Sequence, residues 1–228
     1  MSRWSLLSLL VCTPFGVLAA PVPPEDEVAK LQRAYGTWSD PDKDSRYTLK
    51  EGELRISLPA ENRHLGVIRQ GATNNAPRVL REVEGNFTAV VRVACPTPKR
   101  VPKGFWPSCS GGLLAWESHQ KYMVIQYCSG NVNGNTEAIW SNHISEAENL
   151  MTVQGFGEPT KTAFVRLKRE GDKVVTGWSL DGKKWKDFKY ENKVNWGAKV
   201  KVGLVAENCL EVPVEITFDQ YSLTQPKQ

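Results

Sequence analysis

The chain has 228 residues, of which 40% are hydrophobic and 24% charged, and it carries a net charge of +4. This composition is typical of an ordinary globular protein. No segment after residue 20 is apolar enough to cross a bilayer, which excludes a helical membrane protein, so we expect no transmembrane segment in the mature chain.

Residues 1–19 predict a secretory signal peptide. Arg3 precedes an apolar run over residues 6–18, and the small residues Ala19 and Ala20 follow. A basic head, an apolar centre and a small-residue exit are the features of a cleaved signal, and we expect cleavage after Ala19. The mature protein is therefore expected to be secreted or extracytoplasmic, in the periplasm or at the cell surface.

The mature chain is predicted to begin with a leader over residues 20–35. The pattern favours one short helix there, because Val28, Leu31 and Tyr35 would share a helical face. Residues 36–224 contain no internal repeat and no linker, so we expect a single domain in this range.

An acidic motif follows the leader. Asp40, Asp42, Asp44 and Glu51 match positions 1, 3, 5 and 12 of a calcium loop. Ser45 replaces the glycine that the sharp turn of an EF-hand requires, and a strand pattern follows in place of a helix. Two interpretations remain: a calcium site on a β loop, or an ordinary acidic turn before the first strand. No other cofactor is indicated.

Most of the remaining chain shows the period of two that is typical of half-buried strands. Apolar and polar residues alternate over residues 53–58, 87–93, 165–168, 200–204 and 214–218. Residues 113–116 and 122–127 are apolar at successive positions, which predicts strands that are covered on both faces or lie under a loop.

Turn signals separate about twelve short strands, and no helical segment lies between them. Strands without crossover helices pair antiparallel, so the pattern predicts an all-β protein built as a two-sheet antiparallel sandwich around one core. Residues 96–107, rich in proline and lysine, are expected to form a long surface loop.

Four cysteines remain after the predicted cleavage, at positions 95, 109, 128 and 209. An even number in an exported chain predicts two disulfides, and no Cys-x-x-Cys pair indicates zinc. A hairpin over residues 109–128 would place Cys109 and Cys128 almost opposite each other. We favour that pair, which leaves Cys95 with Cys209. The alternative, Cys95 with Cys109, would close the long loop.

Tryptophans are candidates for stacking on a sugar. Trp106 lies in a loop without strand periodicity, and Trp140 is the next candidate. The alternative for each is packing in the core or a loop, because sandwiches commonly bury aromatic side chains.

Basic residues concentrate over residues 160–201, which hold 12 Lys or Arg against 5 Asp or Glu. Such a segment binds an anionic partner or forms a solvated strand face. We expect a glycan or another anionic polymer and no nucleic acid as the partner. The predicted polar ligand residues are Arg92, Gln126, Arg166 and Lys168.

The stretch over residues 177–188 predicts a hairpin centred on Asp181 and Gly182. A two-residue turn would place Trp178 directly opposite Trp185, with both side chains on the apolar side of the sheet and hence in the core. A three-residue turn would shift the register by one residue and separate the two tryptophans.

Four segments occur in order: NNAPRVLREVEGNFTAVVRV at 74–93, GGLLAWESHQKYMVIQY at 111–127, FVRLKREGDKVVTGWSLDGKKW at 164–185 and KVGLVAEN at 201–208. Together they resemble a family of exported bacterial proteins of unknown function, sometimes labelled "regulation of enolase protein", in the concanavalin A-like lectin/glucanase superfamily. The similarity runs from about residue 36 to residue 223.

This resemblance implies a concanavalin A-like jelly roll of two curved antiparallel sheets, whose concave face binds glycans in better-known members of the superfamily. Relatives tend to carry a basic and an acidic residue where this chain has Val124 and Gln126. If these positions line the concave face, its floor is more apolar here. No activity is established for this branch, and a fold does not determine a function.

Signatures of common enzymes are missing from the sequence, including G-x-S-x-G, H-E-x-x-H, a Walker loop and the E-x-D-x-E strand motif of sandwich-fold glucanases. We therefore expect an exported, non-catalytic binding module for polysaccharide or a cell-surface glycan. The alternatives are a glycan-acting hydrolase or lyase, with Glu117 and His119 as the acid/base candidates, and a structural envelope protein.

Overall fold

The computed structural model describes residues 25–65, 74–98, 108–132, 135–145, 149–156, 160–188 and 192–226. The predicted signal peptide and Trp106 lie outside these stretches. No helix within them is long and apolar enough to cross a membrane.

The described residues form one helix and fifteen strands, which confirms the all-β prediction. The helix, α1, covers Glu25–Ala34, within the segment where a short helix was expected. The strands are β1 (Thr37–Ser39), β2 (Arg46–Lys50), β3 (Glu53–Leu58), β4 (Arg78–Glu84), β5 (Phe87–Ala94), β6 (Ser108–Ser118), β7 (Lys121–Val132), β8 (Asn135–Ile144), β9 (Asn149–Gly155), β10 (Thr162–Glu170), β11 (Lys173–Ser179), β12 (Lys186–Asp187), β13 (Asn192–Lys193), β14 (Lys199–Asn208) and β15 (Val214–Thr224).

These strands form two antiparallel sheets. The seven-stranded sheet has the order β1-β4-β14-β6-β7-β8-β9. The eight-stranded sheet has the order β12-β11-β10-β5-β15-β3-β2, with β13 also paired to β11. Strands β5, β10 and β15 lie against β6, and β10 also lies against β7. This is the two-sheet sandwich that the alternating sequence pattern predicts.

The main core lies between the sheets and follows from the alternation along each strand. Phe87, Ala89, Val91 and Val93 of β5 are buried in it, and the residues between them are partly exposed. Burial of a Val or Phe side chain stabilises the fold by about 1.5–3 kcal/mol, so these inward rows are what hold the sheets together.

A second apolar cluster lies on the outer face of the seven-stranded sheet. Two of its residues, Leu65 and Ala76, belong to residues 59–65 and 74–77, here called the covering segment. The cluster consists of Leu65, Ala76, Leu80, Leu114, Trp116, Tyr122, Val124, Ile144 and Val205. Strands β6 and β7 are therefore covered on both faces, as their successive apolar residues predict.

Arg63 fastens the covering segment to the sandwich. Its guanidinium forms ion pairs with Asp42 at 3.2 Å, with Glu61 at 3.1 Å and with Asp44. Its backbone N–H donates to Asn208 O at 2.8 Å, and its carbonyl oxygen accepts from Asn208 N at 2.9 Å. The Arg63 side chain is only 6% exposed, so solvent screens its ion pairs less than it screens exposed ones.

The predicted register of the Asp-Gly hairpin is wrong. Trp178 lies opposite Lys186 and not opposite Trp185. Trp178 is buried in the main core, as expected. Trp185 is only partly buried, and the Arg166 guanidinium lies 4.5 Å from its ring centroid. The pair is therefore separated into one core residue and one residue on the outer face of the eight-stranded sheet.

The side chain of Asp181 explains the wider turn. Its Oδ1 accepts hydrogen bonds from the backbone N–H groups of Lys183 and Lys184, both at 2.8 Å, and from the Ser179 hydroxyl at 2.9 Å. These bonds favour the charged carboxylate and lower the pKa of Asp181 to about 2. An aspartate that bonds three neighbours directs the chain into a longer loop than a two-residue turn.

All four cysteines in the described residues are free thiols. Cys109 lies opposite Ser129, and Cys128 lies opposite Ser110. Cys109 and Cys128 are therefore one residue out of register and point to opposite faces of the sheet, which contradicts the pairing that we favoured. Cys109 shares the main core with Cys95, so the structure brings together the alternative pair.

Candidate functional site

An open cleft lies on the outer face of the seven-stranded sheet, beside the apolar cluster. Its volume is about 610 Å³, which is in the range of small-ligand sites. We call it the outer cleft. It is lined by Gln32, Arg33, Gly36, Thr37, Ser39, Arg78, Leu80, Arg81, Glu82, Trp116 and Lys201.

One wall of the cleft is polar and is formed largely by side chains on the outer face of β4. Arg78, Leu80 and Glu82 alternate along β4, so their side chains point to the outer face. Thr37 and Ser39 of β1 lie opposite Leu80 and Arg78, and both are exposed. Two hydroxyl groups at the sheet edge therefore stand beside one basic and one acidic side chain.

The end of α1 forms the second wall of the cleft. Gly36 joins α1 to β1 with φ of +126°, and a Cβ at this position would lie 2.4 Å from Leu80 O. The Arg81 Nη2 group donates to the carbonyl oxygens of Arg33 at 2.7 Å and Gln32 at 3.5 Å. The glycine allows the close approach, and Arg81 holds the helix end against the sheet.

Trp116 forms the floor of the cleft. Its ring stacks on Tyr122 with 5.2 Å between centroids, and the Arg78 guanidinium lies 4.7 Å from the Trp116 centroid. Arg78 Nη1 donates to Asn74 O at 3.3 Å and to Ala76 O at 3.1 Å, so the covering segment positions this guanidinium. Because Trp116 is only 8% exposed, it presents an edge and not a full face to a ligand.

The cleft is positively charged. Glu82 is the one acidic side chain among its described lining residues, and it forms an ion pair with Lys199 at 2.9 Å. Burial lowers the pKa of Arg78 below its ordinary value. The basic lining side chains are Arg33, Arg78, Arg81 and Lys201.

None of the predicted ligand residues within the described stretches lines the outer cleft. Gln126 and Trp140 lie directly opposite each other on the outer face of the seven-stranded sheet, away from the cleft. Arg92, Arg166 and Lys168 lie on the outer face of the eight-stranded sheet, on the far side of the molecule. The structure thus brings Gln126 and Trp140 together. It places the three basic residues on the other sheet.

Each of the three predicted basic residues forms an ion pair with a carboxylate. Arg92 Nε donates to Asp219 Oδ1 at 2.7 Å, and its Nη2 also pairs with that carboxylate. Arg166 pairs with Asp187 at 2.6 Å, and Lys168 pairs with Glu170 at 2.7 Å. The interpretation of this basic segment as a solvated strand face therefore fits these residues better than a binding site does.

Gln126 lies in a buried polar pair with Glu207, beneath the covering segment. Burial raises the pKa of Glu207 to about 7, although Gln126 and the Leu65 N–H, which donates to Glu207 Oε1 at 3.3 Å, act in the opposite direction. Gln126 is fully buried, and neither of its side-chain polar atoms has a hydrogen-bond partner of ordinary geometry among the described residues.

Of the acidic residues predicted to hold calcium, two surround Arg63. Asp42 and Asp44 pair with its guanidinium, while Asp40 Oδ2 accepts from Ser45 N at 2.8 Å. Glu51 lies in the turn between β2 and β3. In the part of the chain that is described, no group of three or more His, Cys, Asp or Glu side chains is arranged to hold a metal ion.

The acid/base candidates have structural partners. Glu117 Oε1 accepts from Gly197 N at 2.6 Å, and its Oε2 lies 3.9 Å from Lys121 Nζ. The His119 ring packs edge-on against Trp116 at 5.0 Å and its Nδ1 lies 3.3 Å from Asn74 Nδ2. These contacts hold the β6–β7 turn in place.

Fold and site together define a β-sandwich of the jelly-roll type with an open cleft on the outer face of its seven-stranded sheet. Over 84% of this chain and 97% of the other, it is similar to a functionally unknown protein from Saccharomyces cerevisiae, with a TM-score of 0.69 and 16% identity. An alginate lyase from Klebsiella pneumoniae is similar over 80% of this chain and 85% of its own, with a TM-score of 0.55 and 11% identity.

A third similar structure is the GH43 protein BlXynB from Bacillus licheniformis, with a TM-score of 0.59 and 15% identity over 82% of this chain. This chain spans only 36% of that protein. At such identities the likeness shows the fold alone. No protein-family model matches the chain, and no curated sequence is significantly similar to it. The implied sandwich is thus supported, whereas membership of the exported bacterial family stays a prediction.

Proposed function

We propose that this protein is an exported, non-catalytic module that binds polysaccharide or a cell-surface glycan in the outer cleft. The observation that carries the proposal is the cleft itself: about 610 Å³, open to solvent, with hydroxyl groups, charged donors and the edge of Trp116 on one sheet face. Sugars offer many hydroxyl groups and apolar ring faces, which such a lining complements. Export rests on the predicted signal peptide.

The lack of a second carboxylate among the described lining residues of the cleft supports binding without catalysis. Glycoside hydrolysis ordinarily uses two carboxyl groups that flank the bond to be broken. Glu82 is the one carboxylate among the described lining residues, and Lys199 neutralises it. The name of the similar Klebsiella pneumoniae structure, an alginate lyase, is a reason to test glycans first.

Affinity gel electrophoresis across neutral and acidic polysaccharides tests the proposal. Retardation in at least one polysaccharide is expected, and it should be lost in Ser39→Trp, which fills the cleft from the exposed edge strand β1. The matched control is Thr48→Trp, an exposed position on edge strand β2 of the other sheet. No retardation of the wild type on any polysaccharide would contradict the proposal.

Reducing-end release distinguishes binding from catalysis. The wild type should release no reducing ends from any polysaccharide that retards it. Release that is lost in Glu117→Gln would favour the hydrolase or lyase instead.

A further inference from the structure

We infer that the ligand of the outer cleft is an acidic polysaccharide, whose carboxylate or sulfate groups are bound by Arg78 and Arg81. This inference rests on the proposed function and names the chemical class of its ligand. Within the described residues, no carboxylate pairs with Arg78 or Arg81, and the same holds for Arg46 and Arg169 away from the cleft. Arginines that do pair with a carboxylate are Arg55, Arg63, Arg92 and Arg166.

The structural support for anion binding is stronger for Arg78 than for Arg81. It is only 9% exposed, and its protein contacts are two carbonyl oxygens on Nη1 and the Trp116 ring. Neither Nε nor Nη2 forms a hydrogen bond to the described residues. A buried cation without a counter-ion costs free energy, and an anion placed in the cleft would offset that cost.

Arg81 lies on the other face of β4 from Arg78 and lines the cleft beside the end of α1. Its Nη2 donates to the last carbonyl oxygens of α1, and its Nε is buried without a partner among the described residues. A guanidinium presents a planar fork of donors that matches carboxylate and sulfate oxygens, and such charge-assisted bonds are stronger than neutral ones. Arg78 and Arg81 therefore place positive charge on two sides of the cleft.

Lys201 extends the charge toward solvent. It is exposed on β14, directly opposite Glu82 and Trp116, and no ion pair joins it to a described residue. Because the nearby Glu82 is already paired with Lys199, it does not neutralise Lys201. A chain of acidic sugars could meet Lys201 after one unit has bound the arginines.

Isothermal titration of the full chain tests the inference with four tetrasaccharides: tetragalacturonate, its fully methyl-esterified form, a sulfated chondroitin tetrasaccharide and neutral xylotetraose. The methyl ester keeps the sugar and removes the charge. We expect at least one anionic tetrasaccharide to bind about 10-fold or more tightly than the ester and xylotetraose. Tighter binding of tetragalacturonate identifies the carboxylate as sufficient for recognition, whereas the chondroitin tetrasaccharide carries both carboxylate and sulfate groups.

Two variants locate the binding. Lys201→Gln should weaken binding of the anionic tetrasaccharide by about 5-fold or more, and Arg81→Lys should weaken it at unchanged net charge, because lysine lacks the planar fork. Lys168→Gln makes the same change in charge on the opposite sheet and should leave the affinity unchanged. Thermal unfolding of each variant establishes that it is folded.

Three results would overturn the inference. If the ester or xylotetraose binds as tightly as the anionic probes, glycan binding stands and the preference for acidic glycans fails. If Lys168→Gln weakens binding as much as Lys201→Gln does, diffuse charge and not the cleft attracts the anion. If no tetrasaccharide binds and no polysaccharide retards the protein in gels, the proposed function fails together with the inference.

Discussion

The Arg78 guanidinium lies 4.7 Å from the centroid of the Trp116 ring, and this contact joins the outer cleft to the covered apolar cluster. Trp116 also stacks on Tyr122, which is fully buried. One tryptophan therefore serves as the floor of the candidate site and as a member of the cluster that holds the covering segment.

Trp116→Ala should lower the free energy of unfolding by about 3–5 kcal/mol, because it removes a large buried side chain and leaves a cavity. Urea denaturation measures the change. Leu180→Ala is the control, since Leu180 is 51% exposed and its loss should change stability by no more than about 0.5 kcal/mol. A loss below about 1 kcal/mol in Trp116→Ala would show that the cluster does not hold the covering segment.

Glu207 should make stability depend on pH. Its pKa is about 7 in the folded protein against an ordinary value of 4.5, so the folded state keeps the proton while the unfolded chain loses it. The stabilisation is fully present below pH 4.5, falls as the pH rises, and is lost above about pH 7, with a total of up to about 3 kcal/mol.

Glu207→Gln isolates this effect because it removes the titration and keeps an acceptor for the Leu65 N–H. In urea denaturation, the variant should gain stability relative to the wild type between pH 5 and pH 8. A constant difference between the two proteins across this range would show that Glu207 does not titrate there.

Gly36→Ala should destabilise the junction of α1 and β1 by more than the left-handed backbone alone costs. A Cβ at Gly36 would lie 2.4 Å from Leu80 O, whereas a Cβ at Gly85, with φ of +75°, would meet nothing within 4 Å. We therefore expect Gly85→Ala to cost about 1 kcal/mol and Gly36→Ala to cost clearly more, measured by urea denaturation. Equal costs would contradict the close approach of the two strands.

Removal of Arg63 should allow the acidic residues that it neutralises to bind calcium. In the wild type its guanidinium neutralises Asp42 and Asp44, and hydrogen bonding to Asp44 raises the pKa of Arg63. Arg63→Gln leaves these carboxylates close together without a cation, which destabilises the folded state. Millimolar calcium should then raise the unfolding temperature of Arg63→Gln more than that of the wild type. Equal shifts would argue against a calcium site at the predicted acidic residues.

Oxidation of the mature chain by glutathione disulfide should join Cys95 to Cys109. Both thiols lie in the main core, and burial together with the neighbouring Cys109 thiol raises the pKa of Cys95. Cys128 and Cys209 lie in or beside strands that are separated by β6, too far apart to join without backbone movement. Peptide mapping of the unreduced protein reports the pair, and a bond between Cys109 and Cys128 would contradict the register of β6 and β7.

Strand alternation explains why the sandwich could be predicted. The burial of residues such as Phe87 and Val93 can be predicted from the period of two alone, without knowing which strands pair with β5. Successive apolar residues in β6 likewise predicted a second covered face, although nothing in the pattern could identify the covering segment that supplies Leu65.

Registers and sites depend on contacts that are distant in sequence or made by single side chains. The hairpin prediction failed because Asp181 bonds three neighbours and widens the turn. The outer cleft could not be predicted because it is formed where α1, β1, β4 and β14 come together. No local sequence pattern indicates that these elements are neighbours. The alternation of Arg78, Leu80 and Glu82 was the available signal, since it places one residue of each sign on a single face.

Chemical-shift mapping of backbone amides tests most directly whether a glycan binds in the outer cleft. On titration with a polysaccharide fragment that binds, we expect the largest shifts at Thr37–Ser39, Arg78–Glu82 and Lys201. The largest shifts around Arg92, Arg166 and Lys168, on the outer face of the eight-stranded sheet, would contradict it.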